Sequence, residues 1–372
     1  MDRGLYIHIP FCKSKCLYCD FNSYSGRSDL MADYADALAR EISESASGGI
    51  RTIFIGGGTP TYLPLEGWQV IGEALRGLEI TEGAEFSVEA NPGTFDLPKL
   101  IFLRSLGANR LSIGLQAVQD SHLRGIGRIH SFREFLDGFW KAREAGFRNI
   151  NVDLMFGLPG QTLEDWKESL ETIADLEPEH ISCYSLIIEE GTEFWRRHEE
   201  GSLELPDEEV EREMYRHAVS FLAEKGYLQY EISNFAKPGR ECRHNLIYWD
   251  LDEYYGCGAG AHSFVGGVRR SNPEGIEDYI SFMKGEGAAG WETHRNSPED
   301  SIEEFMFMGL RKIGGVELAD FRERFGRDML EVYGGVISKF ESRGLLRLEE
   351  GRLSLTSKGI ELSNSVMCEF IL

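Results

Sequence analysis

The chain has no apolar run approaching the length of a membrane span, and its first residues lack the basic and apolar stretches of a secretory signal. No spanning helix is expected. Positive charge is scarce: 39 Lys and Arg stand against 62 Asp and Glu, a formal net charge of −23. That balance argues against non-specific nucleic-acid binding and against unaided attraction to anionic lipid. Cysteine is scarce too. Seven in 372 residues is an ordinary cytosolic count, so a cytoplasmic location is expected and a disulfide framework is not. The triple glycine Gly56-Gly57-Gly58 is followed by no Gly-Lys-Ser/Thr and does not fit G-x-G-x-x-G, which excludes both common nucleotide loops there.

Three of the few cysteines lie together. Cys12, Cys16 and Cys19 follow the strand-like run Leu5-Tyr6-Ile7-His8-Ile9-Pro10-Phe11. Spacing alone leaves three readings. Structural zinc normally needs four Cys or His ligands, and no second pair lies nearby. A disulfide needs oxidising surroundings. An iron–sulfur cube held by three thiolates leaves one iron without a protein ligand, which implies an exogenous one.

From residue 5 to about 236, short β-branched runs alternate with helical patterns, which predicts an α/β fold of six βα units forming an incomplete barrel. The strands begin at Leu5, Arg51, Glu85, Arg110, Asn149 and His180. Segments such as Asp29 to Ser45 and Leu163 to Leu176 carry helical periodicity. Each strand ends in a glycine or polar residue, where parallel barrels place their sites. These ends are the cysteine loop, Gly57-Gly58-Thr59, Glu89, Gln116, Asp153 and the stretch around Ile187. All six are expected on one rim.

C-x3-C-x2-C resembles the signature of the radical S-adenosylmethionine (SAM) superfamily, in which SAM chelates the open iron of a [4Fe-4S] cluster. The flanking Tyr6-Ile7-His8-Ile9-Pro10-Phe11-Cys12 resembles the coproporphyrinogen dehydrogenases (HemN) and their close relatives, the haem chaperones (HemW). The resemblance implies that Cys12, Cys16 and Cys19 bind the cluster. It implies that Tyr6, Glu89, Gln116, Arg128 and Asp153 contact SAM, with Glu89 on the ammonium, Arg128 on the carboxylate and Asp153 on the ribose. Gly57, Gly58 and Thr59 would offer backbone to the ammonium, and Tyr18 would meet the adenine.

Two departures separate this chain from the oxidase. The oxidase's fourth cysteine, tied to activity in that family, is Phe21 here, and the first strand starts within a few residues of Met1 rather than after a long extension. Both match the chaperone branch. Arg243-His244-Asn245-Leu246-Ile247-Tyr248-Trp249 matches that branch's HNxxYW motif, associated there with haem binding. His244 is an expected iron ligand, with Asn245, Tyr248 and Trp249 around the macrocycle. Cys242, Cys257 and His262 are alternative ligands, and the opposed expectation for His244 is a hydrogen-bonded core histidine. Arg240, Arg243, Arg269 and Arg270 are candidates for the haem carboxylates. C-x-x-C-H is absent, so covalent attachment is not expected. The implied partners are haem and haem-accepting proteins, and the resemblance is compatible with a homodimer. The enzyme reading is anaerobic coproporphyrinogen oxidation.

After Ser297-Pro298-Glu299-Asp300 the pattern changes to helices at Ile302 to Leu310, Leu318 to Phe325 and Met329 to Arg343, then a hairpin across Glu349-Glu350-Gly351. The order resembles a winged helix with too little positive charge for DNA. The expected division is therefore 1–236 barrel, 237–298 connecting segment and 299–372 carboxyl-terminal domain, the last covering the barrel mouth.

Overall fold

The computed structural model describes residues 2–286 and 288–372. A twelve-stranded sheet dominates it. The six expected strands are β1 (Arg3–Ile9), β2 (Ile50–Gly57), β3 (Ile80–Ala90), β4 (Arg110–Gln116), β5 (Ile150–Phe156) and β6 (His180–Ser185). They are adjacent and parallel in that order. The sheet continues through β7 (Leu228–Glu231), β8 (Asn234–Ala236), β9 (Tyr254–Cys257), β10 (His262–Val265), β11 (Val268–Ser271) and β12 (Glu292–Arg295). β9 lies parallel to β1 on its outer side, giving a seventh parallel strand, and β10 to β12 follow it antiparallel. At the other edge β8 pairs antiparallel with β6, and β7 antiparallel with β8. The sheet stays open, as expected of an incomplete barrel. The stretch after residue 236 is more than a connector, because it supplies four strands to the same sheet and two helices, Arg243–Trp249 and Ile276–Lys284.

Helices form where caps and periodicity agree. Phe132–Glu144 and Leu163–Ala174 each open with a capping box, Ser131 with Glu134 and Thr162 with Asp165. Such boxes satisfy amide donors that the first helical turn leaves free. The Ser297-Pro298-Glu299-Asp300 punctuation is a third box, opening Pro298–Gly309 with proline at the first turn. Trp68 and Trp166 are fully buried between helices and sheet, each contributing about 1.5–3 kcal/mol of burial.

Residues 302–370 close a second core around Phe305, Phe321, Tyr333 and Leu353. Leu318–Phe325 and Met329–Glu341 are helical, and β13 (Val316–Glu317), β14 (Leu346–Glu349) and β15 (Arg352–Leu355) form a small sheet. Glu349 pairs with Arg352. The turn is thus the two residues Glu350 and Gly351, both at positive φ (51° and 77°), as a tight hairpin twisted to match its strands requires.

This second unit does not cover the mouth. It docks beneath the barrel, at the amino ends of the strands. The Arg311 guanidinium stacks 4.5 Å over Trp249, Lys312 pairs with Asp250, and Arg324 reaches Asp252 at 3.1 Å. Asp252 also holds Arg51 at the start of β2. The mouth at the opposite ends of the strands is left open.

Candidate functional site

Inward side chains alternate along each parallel strand, and here many are polar: Glu89 on β3, Arg110 and Ser112 on β4, Asn151 and Asp153 on β5, Ser182 on β6. Together with the cysteine loop they line a cavity of about 410 Å³. Cys12, Cys16, Cys19, Tyr18, Gly57, Gly58, Thr59, Glu89, Gln116, Arg128, Asp153 and Ile187 all face it. The strand-end rim read from the sequence is one wall-to-wall chamber. Tyr6 lies behind it, lining a neighbouring cavity.

The loop is held at many points. Phe11–Cys12 pairs with Tyr24–Ser25, and Tyr24 N donates to Pro10 O at 2.7 Å. Leu17 N donates to Ile126 O, Phe194 N donates to Leu17 O, and Lys15 Nζ donates to the Phe21 and Ser23 carbonyls. Tyr6 Oη and His8 Nδ1 are 2.9 Å apart, while His8 Nε2 meets Asn22 O at 2.7 Å. This relay fixes the chain leaving the third cysteine.

All three thiols are free, and Cys12 Sγ lies 3.6 Å from Thr59 Oγ1. Burial raises the thiol pKa of Cys12 and Cys19, so a positively charged centre is needed to hold them as thiolates. A four-iron cube takes each thiolate on a different iron, and Cys12, Cys16 and Cys19 all line the one chamber.

The rest of the chamber fits SAM's charges. Arg128 donates to Asn91 Oδ1 at 2.7 Å and to the Tyr18 hydroxyl at 3.1 Å, while its buried Nε has no partner. That leaves a donor for a carboxylate. Glu89 Oε2 accepts from Gly57 N at 3.1 Å, and burial, with the charge of Asp153, pushes its carboxyl up to about 8. A cation placed there would be welcomed. Burial also raises Asp153, which Asn151 and Ser112 hold by hydrogen bonds at 2.7 and 3.3 Å. Gly57 sits at φ 111°, and a Cβ on Gly58 would lie 2.8 Å from Phe11 O. Gln116 holds the positive φ of 81° at a register shift between β4 and β5. A bulge of this kind re-aims a side chain, and such strain gathers at functional sites.

The HNxxYW residues do not gather as a haem site, and His244 takes the second of its two expected places. The helix Arg243–Trp249 plugs the barrel floor, its first amides received by Glu85, which accepts from Arg243 N and His244 N, both at 3.0 Å. His244 is fully buried, with Nδ1 2.8 Å from Thr52 Oγ1 and Nε2 2.8 Å from the Tyr248 hydroxyl, one helical turn further along. Burial, then Arg110 and Arg51, hold its pKa down to about 3. Neither ring nitrogen is free for iron, so this geometry is that of a hydrogen-bonded core histidine. Tyr248 meets Tyr254 edge-on at 4.7 Å, Trp249 faces Arg311, and of the motif's residues only Asn245 reaches the main chamber. Cys242 and Cys257 are buried as well. The arginines are not gathered either. Arg269 is bound by Glu304, Arg270 stacks 4.3 Å over Trp291, and Arg243 donates to Gly83 O.

Sequence reasoning passed over Arg110, Ser112, Asn151 and His8 as site residues. The signal was present in strict polar and apolar alternation, Arg-Leu-Ser-Ile-Gly-Leu-Gln in β4. A parallel strand covered on both faces should read as continuously apolar, so alternation there marks a polar lumen.

Comparison with known proteins places this architecture. Residues 6–173 match the family model of the radical SAM superfamily, and residues 296–362 match the HemN C-terminal domain. Coproporphyrinogen III oxidase (HemN) from Escherichia coli superposes with a TM-score of 0.86 at 25% identity, covering 99% of this chain and 90% of that one. The fold and the cysteine chamber are therefore those of a radical SAM protein, whose resident cofactors are a [4Fe-4S] cluster and SAM. Heme chaperone HemW of Bacillus subtilis is 42% identical, over 99% of both chains. HemW of Lactococcus lactis is 38% identical over 100% of this chain and 97% of the relative. A Danio rerio protein named radical S-adenosyl methionine domain-containing protein 1, mitochondrial, is 34% identical over 96% and 86%. The chain belongs to the HemW family of heme chaperones.

Proposed function

We propose that this chain binds haem as cargo and hands it to acceptor proteins, with the cluster and SAM in the barrel mouth gating or assisting the transfer. Residues 1–236 hold both cofactors, 237–298 close the floor and widen the sheet, and 299–372 brace it from beneath. Cys12, Cys16 and Cys19 hold the cluster. Glu89 and the Gly57-Gly58-Thr59 backbone take the SAM ammonium, Arg128 the carboxylate, and Asp153 the ribose. Tyr18 meets the adenine, Gln116 and Ile187 complete the wall, and Tyr6 steadies His8 and the loop. A bound and reduced cluster would offer an electron to the sulfonium of SAM held by these residues. No helix among the described residues is long and apolar enough to cross a membrane. A homodimer belongs to the same reading, and sedimentation of the purified protein tests it.

The observation that carries the chaperone reading is Phe21. It stands where the oxidase resemblance calls for a fourth cysteine, is 64% exposed, and lines the chamber beside Cys19. A phenyl ring neither binds iron nor moves protons, whereas it offers a flat apolar face to a macrocycle. The second reading, oxidative decarboxylation of coproporphyrinogen, has the HemN fold in its favour. Haemin titration beside an anaerobic coproporphyrinogen assay with SAM and reductant separates them. Binding without turnover is expected, and turnover without binding overturns the chaperone reading.

A further inference from the structure

Resting on the haem-binding reading, we propose that the cargo iron is ligated by His262, at the lip of the second cavity, rather than by His244 of the HNxxYW motif. That cavity, about 360 Å³, is lined by Tyr6, His8, Phe21, Tyr248, Tyr254 and His262 among others. Its walls are mainly aromatic, as a tetrapyrrole plane requires. His262 opens β10 and is exposed, and among the described residues its ring nitrogens meet no hydrogen-bond or ion-pair partner. Imidazole is an axial ligand of haem iron. His244 is committed through both nitrogens and wholly covered. Presenting it would leave Thr52 and Tyr248 unpartnered and uncover the floor.

The position suits a cargo. The turn carrying His262 is tied by Asn272 N to Ala261 O at 3.0 Å and Gly260 N to Pro273 O at 2.9 Å. Asn22 Nδ2 donates to Ala259 O at 3.1 Å, linking that turn to the chain leaving the third cysteine. The two cavities share Phe21, Gly57 and Glu89. A macrocycle on His262 therefore lies against the wall of the SAM chamber, with Phe21 between. The cavity is too small to enclose a haem, so it seats one face and leaves an edge outside for an acceptor. Tyr248 and Tyr254 of the motif region serve as wall, which gives that segment a part in haem binding without making its histidine the ligand.

The test is haemin titration of the full chain and of His262→Gln, read by Soret absorbance and by spin-resonance spectra. In the variant, histidine-type ligation should vanish and affinity should fall roughly tenfold or more, a loss of about 1.4 kcal/mol. Added imidazole should restore the spectrum. Because His262 is exposed, circular dichroism should be unchanged. A variant whose spectra and affinity equal those of the unaltered chain overturns the assignment while leaving haem binding intact. An unaltered chain that takes up no haemin overturns both.

Discussion

Gly58→Ala tests whether the close approach of two strand ends builds the cluster site. A Cβ there would stand 2.8 Å from Phe11 O, 2.9 Å from Pro10 C and 3.0 Å from Phe11 C. All three are backbone atoms, so no rotamer change relieves the clash. Gly58 N donates to Ile9 O at 2.9 Å and Thr59 N to Phe11 O at 2.8 Å. Separating these segments weakens both bonds and moves Cys12 away from Thr59. Overpacking of this kind costs about 1–3 kcal/mol, which in SAM affinity is about five- to 150-fold if the strain is relieved at the site. Iron and sulfide per chain after anaerobic reconstitution, with SAM affinity by calorimetry, give the readout. Gly83→Ala is the control: Gly83 has φ 73° but nothing within 4 Å of a Cβ. It should cost about 1–2 kcal/mol of left-handed strain and leave cluster loading alone. A Gly58→Ala protein that loads full iron and binds SAM normally, or a Gly83→Ala protein that loses cluster equally, refutes the reasoning.

Glu89 sets a pH dependence. Its carboxyl lies at about 8 against an ordinary 4.5, so its contribution favours the fold below about 4.5 and is lost as pH rises through about 8. SAM's ammonium favours the ionised form, so SAM binding should tighten as pH rises toward 8 with release of a proton. Calorimetry in buffers of different ionisation heat should find this in the unaltered chain and not in Glu89→Gln; equal slopes in both would sink it. Arg128→Lys cannot serve Asn91, Tyr18 and a carboxylate together. SAM affinity should fall roughly tenfold with iron content unchanged, and an unchanged affinity removes Arg128 from the site. Thr52→Val strips His244 of its Nδ1 partner and should lower stability in urea by about 1–3 kcal/mol. Haemin titration should not change; a lost histidine-type spectrum would return the ligand to His244.

The parallel strands were legible because their runs are β-branched and each ends in a polar or glycine residue; β4 and β6 begin at the expected residues. Leu318–Phe325 and Arg352–Leu355 also fall at the expected bounds. β9 was not legible. Tyr-Tyr-Gly-Cys is too short and glycine-bearing to declare itself, and its pairing with β1 joins Gly4 to Tyr254 across most of the chain. The residues expected to hold the cluster and SAM were read through motifs, and the chamber gathers all of them but Tyr6. Which of the two expectations for His244 holds was not legible, since a motif states which residues occur but not which face of a short helix meets Thr52 and stacks on Phe54. The docking side of the carboxyl-terminal unit depends on Arg311, Lys312 and Arg324 finding Trp249, Asp250 and Asp252. No local pattern announces such distant pairings.

With its lower end bolted to the carboxyl-terminal unit and its upper rim bare, the molecule behaves like a bowl on a fixed stand. On the proposed reading, cargo is taken up and given away on the side turned from that stand. A recipient approaching from there meets the rim without any swing of the stand.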